Sequence, residues 1–467
     1  MKRTLSLLLA LSCLLALCAC GAASDEPASA QISAAPSSGP VLAEPVYPSM
    51  APCPRQEDYL KDTGGLDRTF YDASRAWRED LMALRNQPAG YAASLTPWFG
   101  ACIRQTLSGG DTENRVVSPL NLTMALAMLA EVAGGSSRQQ LLDLLGAEDL
   151  DALRAAASAL WLQSYQDDGQ TRSILANSLW LRLGTVYVQP TLDDLAAVYY
   201  ASAFQGQMGS PEYDALLQGW IGEQTGGLLE KQASGLSLDP GTVLALVSTV
   251  CFKAPWVSEF SPALTEDGLF RGPDGEERVP FLHGDREMPW YWGEHFSAVG
   301  LDMENGGQMW FLLPEEGMSP AELPEDPEAM AFLLLQNKDA WEKQRIPLVH
   351  LTIPKFDVSS DLELTPALQR LGVTDVFDSS RSDFTPLTRE PETLYVSRVE
   401  HAARVKIDEE GCEAAAYTIV EAPAEEAAVE PEWEEVDFIL DRPFLFCITN
   451  AGGLPLFVGL VSHPGEK

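Results

Sequence analysis

Basic residues are scarce in this chain, and histidine is rarer still. Only 31 Lys and Arg stand against 68 Asp and Glu in 467 residues, and five His are present. The formal net charge of −37 excludes a protein that binds nucleic acid without sequence preference, because such binding needs clustered cations to neutralise phosphate. It also argues against electrostatic docking on anionic lipid. We therefore expect no nucleic-acid partner, and a soluble, self-repelling monomer whose charge favours a basic partner.

The chain also lacks the usual signatures of metal, cofactor and catalytic sites. No C-x-x-C pair, H-x-x-x-H helix, P-loop or G-x-G-x-x-G run is present, so we expect neither a metal nor a cofactor. There is no G-x-S-x-G elbow and no His in a recognisable catalytic motif, which argues against an enzyme. Eight Cys are too few for a disulfide scaffold. Cys102, Cys251 and Cys447 lie in apolar segments and are predicted to be buried.

An almost wholly apolar run lies at the N-terminus, interrupted only by Ser6, Ser12 and Cys13. Lys2 and Arg3 precede residues 5–17, a stretch shorter than a membrane span of about 20 residues and typical of a secretory signal. Leu17 to Gly21 resembles the lipobox of bacterial lipoproteins. The resemblance implies a signal peptide at 1–19, lipidation of Cys20 and a protein anchored on the outer face of a bacterial cell membrane. Ordinary signal cleavage nearby is the alternative.

Composition divides the remainder of the chain into three parts. Residues 20–56 are rich in Ala, Ser and Pro and are predicted to be a flexible tether, in which Cys53 is exposed. Residues 57–90 form an N-terminal extension of mixed character, with a helix around Ala73 to Leu84 and no assigned function. Residues 91–467 carry no internal repeat and no second linker, so they are predicted to form one α+β domain.

Local signals place several elements of that domain. Ser118 and Pro119 predict a helix start, and the apolar residues that follow, 120–133, predict a buried helix. Ser137 and Gln140 fit a capping box for the next helix. Three further patterns predict strands at 243–252 and 348–353 and a hairpin formed by 444–449 and 456–461.

These segments resemble the serpin family of protease inhibitors. The matching stretches, in family order, are 114–129 (helix B), 176–180 (strand 3A), 249–256 (the Phe-Lys-x-x-Trp motif), 356–371 (strand plus helix), 394–416 (strand 5A and the hinge), 442–446 and 456–464 (the C-terminal signature). The resemblance implies the serpin fold: helices packed on a large, mainly antiparallel sheet A, smaller sheets B and C, and an exposed reactive-centre loop at about 409–440.

The resemblance also assigns roles to four residues that control how sheet A opens. Ser118, Asn177 and His401 match the family's shutter, and Trp256 matches its breach. The plain alternative is that they are ordinary core residues. His401 lies on the apolar face of a predicted strand, where a single His is more often a satisfied core residue than a base or ligand.

The segment after residue 398 has the pattern of a switch. Apolar residues alternate from Val399 to Ile407, and small or apolar residues occupy every second position from Cys412 to Ala422. The second run therefore fits either an exposed loop or a buried strand; a surface strand or linker is the alternative. By resemblance the hinge comprises Glu409, Glu410, Gly411, Cys412, Glu413, Ala414, Ala415 and Ala416. Cys412 stands where the family usually has Thr or Ser, and we expect its thiol to be exposed before insertion.

The serpin resemblance implies a suicide inhibitor. A target serine protease would cleave the loop, form an acyl-enzyme and be trapped when the upstream loop inserts into sheet A. Family spacing places the specificity residue at Glu425, and the candidates for the reactive bond are Ala424, Glu425, Glu426, Ala427, Ala428 and Val429. No Lys or Arg lies between Asp408 and Asp441, which excludes a trypsin-like target. Small residues favour an elastase-like protease, whereas Glu425 fits a Glu-specific one; cysteine proteases are a further class of target.

Two other functions remain open at this point. A non-inhibitory serpin-fold binding protein is compatible with the long loop, Tyr417 and Pro423, although the small residues of the hinge argue against it. A lipoprotein that binds small solutes would show repeated βαβ units, which the late run of strands does not fit. The acidic residues of the loop either attract a basic protease or only confer solubility.

Overall fold

The computed structural model describes residues 41–61, 65–109, 112–227, 229–304, 306–390, 394–396, 399–412 and 434–465. The helices of this part of the chain are α1 (Arg68–Arg85), α2 (Thr96–Leu107), α3 (Pro119–Val132), α4 (Gly135–Leu145), α5 (Leu150–Ser164), α6 (Gln189–Val198), α7 (Pro211–Gln224), α8 (Glu230–Ala233), α9 (Pro327–Leu334) and α10 (Thr365–Arg370). None of these helices combines the length and the hydropathy that crossing a membrane requires.

The strands of the same residues are β1 (Val41–Ala43), β2 (Arg115–Val117), β3 (Gln166–Asp167), β4 (Arg172–Arg182), β5 (Ala201–Gly206), β6 (Leu244–Pro255), β7 (Glu266–Gly272), β8 (Gly275–Glu287), β9 (Trp290–Trp292), β10 (Phe296–Asp302), β11 (Gln308–Pro314), β12 (Gln344–Arg345), β13 (Leu348–Pro354), β14 (Phe356–Glu363), β15 (Glu400–Ile407), β16 (Gly411–Cys412), β17 (Glu435–Ile439), β18 (Phe444–Thr449) and β19 (Pro455–Val461).

The strands form three sheets. The large sheet has the order β1-β5-β4-β6-β16-β15-β14, with β3 paired to β4, and its neighbours are antiparallel except β4 and β5. A seven-stranded sheet has the order β12-β9-β10-β11-β18-β19-β2, and a four-stranded sheet has the order β17-β13-β8-β7. The predicted α+β class, with helices on one large antiparallel sheet and two smaller sheets, is confirmed.

Helix α3 lies at the centre of the fold. Ser118 caps it, because its Oγ accepts a hydrogen bond from the Asn121 N–H at 3.2 Å, and Pro119 occupies the first turn. Every residue of α3 except Ala125 is buried, since the helix packs between β6 of the large sheet and β19 of the seven-stranded sheet. The predicted buried helix is confirmed. Its apolar character on all sides follows from this contact with two sheets.

The predicted strands and hairpin are also present, but one predicted cap is not. Strands β6, β13, β18 and β19 cover the predicted stretches. The capping box at Ser137 is wrong, because α4 already begins at Gly135 and Ser137 lies inside it. The Gly134 N–H donates to the Asp383 carbonyl at 2.8 Å, which anchors the helix start earlier. The Ser137 Oγ instead accepts a hydrogen bond from the Asp383 N–H.

The second half of the predicted tether belongs to the folded body. Strand β1 pairs antiparallel with β5 at the edge of the large sheet, and Cys53, half-buried, donates its backbone N–H to Asp168 at 2.9 Å. Tyr47 packs against Trp161 at 5.3 Å between ring centroids. The expectations of a tether through residue 56 and of an exposed Cys53 are therefore wrong. A free sheet edge and an aromatic surface, both distant in sequence, order this segment despite its Pro-rich composition.

The N-terminal extension packs on the same part of the fold as Tyr47. Helix α1 is longer than the predicted 73–84 and packs against α5, which carries Trp161. At its last residue, Arg85 Nη2 donates to Gln166 Oε1 at 2.6 Å, next to the β3–β4 hairpin. Residues 41–61 and 65–85 together therefore cover the outer edge of the large sheet and the adjoining helix.

Replacing Tyr47 with Ala should destabilise the native state by about 2–3 kcal/mol, because a largely buried aromatic ring would be lost from its contacts with Trp161 and Tyr165. Val46→Ala is the matched control, since the neighbouring Val46 side chain is 87% exposed. Denaturant-induced unfolding compares the two variants with the parent protein. Equal midpoints for Tyr47→Ala and the parent would show that the docked segment adds no stability.

Candidate functional site

The turn that joins β15 to β16 is fixed by Trp256. This indole is buried, and its Nε1 donates a hydrogen bond to the Asp408 carbonyl at 3.0 Å. Its backbone N–H donates to the Glu410 carbonyl at 2.9 Å, and the Phe260 N–H donates to the Glu409 carbonyl at the same distance. The predicted breach residue therefore holds the point where the hinge enters the large sheet.

Glu409, the first predicted hinge residue, is tied to the body by its side chain. Lys355 Nζ lies 2.6 Å from its Oε2, and Thr265 Oγ1 donates to its Oε1 at 2.8 Å. Burial raises the pKa of this carboxyl, but the hydrogen bonds from Lys355 and Thr265 outweigh burial and leave the pKa below its ordinary value. The carboxylate is thus charged at neutral pH, and it restrains the start of the hinge.

The next hinge residues already form a strand of the large sheet. In β16, Gly411 pairs with Pro255 of β6, and Cys412 pairs with both Ala254 of β6 and Ile407 of β15. Glycine is required at 411, because a Cβ there would lie 2.5 Å from the Ala254 carbonyl oxygen. Strand alternation turns Cys412 to the inner face with Ala254 and Ile407, so its side chain is only 3% exposed. The expectation of an exposed Cys412 thiol is therefore wrong.

Beyond Cys412, no described residue pairs with β6 on one side and β15 on the other, and we name this part of the large sheet the receiving lane. It lies between β6 and β15, which, among the described residues, are joined only through β16 in the hydrogen-bonded order of the sheet. Two small cavities follow one another along it. The upper is lined by Val250, Phe252, Val405, Cys412 and Phe457, and the lower by Ser118, Asn121, Val250, His401 and Ala403. The lane therefore has a strand edge on each side. Val250, Phe252, Val405 and Phe457 are apolar groups of its floor, and Ser118, Asn121 and His401 are polar groups at its lower end.

His401 and Ser118 meet beneath the lane. The His401 Nε2 accepts a hydrogen bond from the Ser118 N–H at 3.0 Å, which joins β15 to the start of α3. His401 is fully enclosed, and burial lowers its pKa to about 4. The neutral ring is required, because Nε2 must accept this bond. The prediction that His401 is a satisfied buried residue beside Ser118 agrees with this geometry.

Asn177 joins the same region through two residues that the sequence analysis missed. Asn177 Oδ1 accepts from Ser248 Oγ at 2.7 Å, and its Nδ2 donates to the Tyr199 carbonyl at 2.8 Å. Ser248 also contacts Asn121 of α3, whose Nδ2 donates to the Ser248 carbonyl at 3.1 Å. Both residues could have been found from their places in the sequence. Asn121 lies within the helix B motif, and Ser248 lies directly before the Phe-Lys-x-x-Trp stretch.

The far end of the acidic segment is also anchored in a sheet. Strand β17 pairs in parallel with β13, and Glu434, just before it, forms an ion pair with Arg345. The predicted loop at 409–440 is therefore too long, because residues 411–412 and 435–439 are strands. The remaining hinge residues, Glu413 to Ala416, all six reactive-bond candidates at 424–429, and Cys20 lie outside the described residues. In the described ranges, no three His, Cys, Asp or Glu side chains converge as metal ligands do.

The fold places a two-residue strand of the predicted hinge, β16, between β6 and β15 of the large sheet. A family model described as "Serpin (serine protease inhibitor)" matches residues 98–464. The chain belongs to the serpin family, whose members are protease inhibitors in general.

Individual relatives agree with this assignment. Serpin-Z2B of Triticum aestivum is 30% identical over 366 residues, which cover 75% of this chain and 90% of the relative. Neuroserpin of Mus musculus is 28% identical over 406 residues, covering 82% and 95%. Among solved structures, the thermophilic serpin tengpin in its native state has a TM-score of 0.70 at 24% identity, covering 81% of this chain and 95% of tengpin. The resemblance to serpins and the serpin fold are thereby confirmed.

Proposed function

We propose that this serpin is a suicide inhibitor of an extracellular, elastase-like serine protease. The catalytic Ser of the target attacks a peptide carbon in the segment 413–433. The Ser Oγ–carbon bond forms, the peptide C–N bond breaks, and the new amine leaves on the downstream part of the chain. The upstream part then enters the receiving lane before water hydrolyses the ester, which leaves the protease covalently trapped.

The position of β16 carries this proposal. Its two residues are paired with β6 at the top of the receiving lane, and Cys412 is also paired with β15. If the same register continues, positions 414 and 416 enter the inner face, against Phe252 and Val405 and then Val250 and Ala403. Both positions are Ala. Small side chains suit the tight floor of the lane, and each further residue adds main-chain hydrogen bonds to two strands.

The composition of the loop supports an elastase-like target. Its central residues are mainly Ala, Val and Glu, and no Lys or Arg lies between Asp408 and Asp441. We infer cleavage within Ala424 to Val429, where small residues fit a small apolar pocket. A Glu-specific protease that uses Glu425 and a cysteine protease, whose thioester would be trapped in the same way, are the rival targets. The acidic loop favours a target with a basic surface.

We also propose that a lipid on Cys20 anchors the protein to the outer face of a bacterial cell membrane. This rests on the lipobox-like residues Leu17 to Gly21. Since β1 begins at Val41, the segment from Gly21 to Pro40 would separate the lipid from the fold. Its 20 residues could span at most roughly 70 Å. The inhibitor would then act close to the membrane surface.

Incubation of residues 21–467 with a neutrophil-type elastase tests the proposed function. We expect a covalent adduct that survives denaturing electrophoresis, together with a released C-terminal peptide whose first residue, read by mass spectrometry, locates the reactive bond. A Glu-specific and a cysteine protease complete the panel. Cleavage by all three proteases without an adduct, and without a rise in the melting temperature of the cleaved protein, would favour a non-inhibitory binding protein.

A further inference from the structure

Two tryptophans form a stacked pair on the seven-stranded sheet. Trp290 and Trp292 are alternate residues of β9, so they lie on one face of this strand, whereas Tyr291 between them is buried on the other face. Their rings stack at 4.9 Å between centroids, and both residues are half-buried. Trp341 Nε1 donates a hydrogen bond to the Trp292 carbonyl at 3.0 Å. The pair is therefore held in place and keeps part of its aromatic surface in contact with solvent.

Strand β12 extends this aromatic face. Arg345 of β12 pairs with Trp290 of β9, and its guanidinium carbon lies 4.9 Å from the centre of the Trp290 ring. Arg345 also forms the ion pair with Glu434. The next residue, Ile346, has a side chain that is 61% exposed. We name Trp290, Trp292, Arg345 and Ile346 the Trp shelf.

The composition of the Trp shelf is that of a protein-binding surface. Trp and Arg are the side chains that most often dominate the affinity of an interface, and an exposed aliphatic group beside them adds apolar area. The surroundings of the shelf are acidic, with exposed side chains at Glu287, Glu342, Glu434 and Glu435. Glu287 of β8 and Glu435 of β17 both pair with Leu348, close to the end of β12. The shelf therefore fits a partner whose contact area is apolar at its centre and basic at its margin.

The place of the shelf in the chain indicates which partner this is. Glu434, which is bonded to Arg345, is the first described residue after the acidic segment. The reactive-bond candidates begin at Ala424, ten residues before Glu434, so every candidate bond lies within roughly 35 Å of Glu434 even in a fully extended chain. A protease domain of about 220 residues is roughly 45 Å across. A protease bound at any of these bonds is therefore large enough to contact the shelf.

We propose that the Trp shelf is a second contact surface for the target protease, separate from the loop that the protease cleaves. The inference rests on the proposed function and names residues that select the target. Strands β9 and β12 belong to the seven-stranded sheet, whereas insertion takes place in the large sheet. The shelf therefore acts on the encounter of protease and serpin. It accelerates their association and leaves unchanged the share of encounters that end in a trapped complex.

Association kinetics test the shelf, with the protease of the panel that forms the covalent adduct. Ile346→Ser removes the exposed aliphatic group, and Trp290→Ala removes the centre of the shelf. We expect the second-order rate constant of inhibition to fall about fivefold for Ile346→Ser and about tenfold for Trp290→Ala. The number of serpin molecules consumed per trapped protease should stay that of the parent. Val186→Ser is the matched control, because Val186 is 71% exposed and follows β4 of the large sheet; its rate should equal that of the parent.

An inactive form of the same protease, with its catalytic nucleophile replaced by Ala, separates docking from cleavage. Its Kd for the uncleaved serpin should rise about fivefold with Ile346→Ser and about tenfold with Trp290→Ala. Because Ile346 is largely exposed, Ile346→Ser keeps the test valid even if Trp290→Ala fails to fold. A parent-like association rate and Kd for Ile346→Ser would overturn the second contact surface.

Two further results would assign the shelf to another role and thereby overturn the proposal. If Glu434→Gln slows inhibition and Ile346→Ser does not, the shelf only positions the end of the loop. If sedimentation shows that the parent self-associates and Ile346→Ser does not, the shelf binds a second copy of the chain. Failure of the proposed function looks different: neither the parent nor any variant forms a covalent adduct with any protease, and the shelf then has no target to select.

Discussion

Replacing Ala414 with Glu should convert the inhibitor into a substrate. If the inserted loop keeps the register of β16, position 414 would reach the inner face between Phe252 and Val405, both of which are buried. An unpaired carboxylate there costs several kcal/mol, and each 1.4 kcal/mol slows insertion about tenfold. The acyl-enzyme would hydrolyse first. We expect the covalent adduct to fall by at least about a hundredfold, while the loop is cut at the same bond.

The adjacent residue supplies the matched control. Ala415→Glu introduces the same side chain one position later, where alternation in the inserted strand would turn it to the outer face beside Arg404. It should retain most of the adduct, because the carboxylate remains near solvent and a cation. Adduct yield is read by denaturing electrophoresis, and the cut site by mass spectrometry. If Ala414→Glu traps the protease as well as Ala415→Glu does, the inner face of the lane does not receive residue 414, and the insertion mechanism fails.

The central elements were predictable because their signals are local. The sequence predicts helix α3 through a capping residue, a proline in the first turn and an apolar stretch. The helix is buried because two sheets pack on it. The hairpin of β18 and β19 has a turn sequence in which Asn450 Oδ1 accepts from the N–H groups of Gly452 and Leu454 at 3.0 Å. In β15, alternation alone identified the buried side that contains His401.

The features that could not be predicted depend on partners distant in sequence. Strand β1 pairs with residues about 160 positions away, and its own three residues carry no strand signal above their Pro-rich neighbours. The sequence predicts an exposed Cys412, because an acidic, Pro-containing stretch follows it. In the structure, its pairing with β6 and β15 buries it. Likewise, nothing in the sequence indicates that Lys355 meets Glu409.

The electrostatics of the hinge form one pattern with the shape of the lane. Glu409 is bonded to Lys355 and Thr265, and these bonds lie directly before β16. Under the proposed function, they would fix the point from which the loop inserts.

Lowering the pH from 7.5 to 5 should destabilise the native state through His401. Its pKa is about 4 in the fold against an ordinary 6.5, with burial as the cause. Well above pH 6.5 the ring is neutral in both the folded and the unfolded protein, so its titration does not change the stability there. As the pH falls below 6.5, His401 binds a proton in the unfolded state but stays neutral in the folded state. Stability is therefore lost until about pH 4, where the folded state is protonated as well. The loss is about 2 kcal/mol at pH 5 and about 3 kcal/mol in full.

His401→Gln isolates this contribution, because glutamine can still accept a hydrogen bond from Ser118 but does not titrate. The variant should be less stable than the parent at pH 7.5 and should lose about 2 kcal/mol less between pH 7.5 and 5. His295 and His350 have raised pKa values, through hydrogen bonds to Asp326 and Asp285, and act in the opposite direction. They are present in both proteins and cancel in the comparison. Denaturant-induced unfolding at the two pH values provides the measurement; identical pH dependence in both proteins would mean that the contact of His401 with Ser118 does not control the acid stability of the sheet.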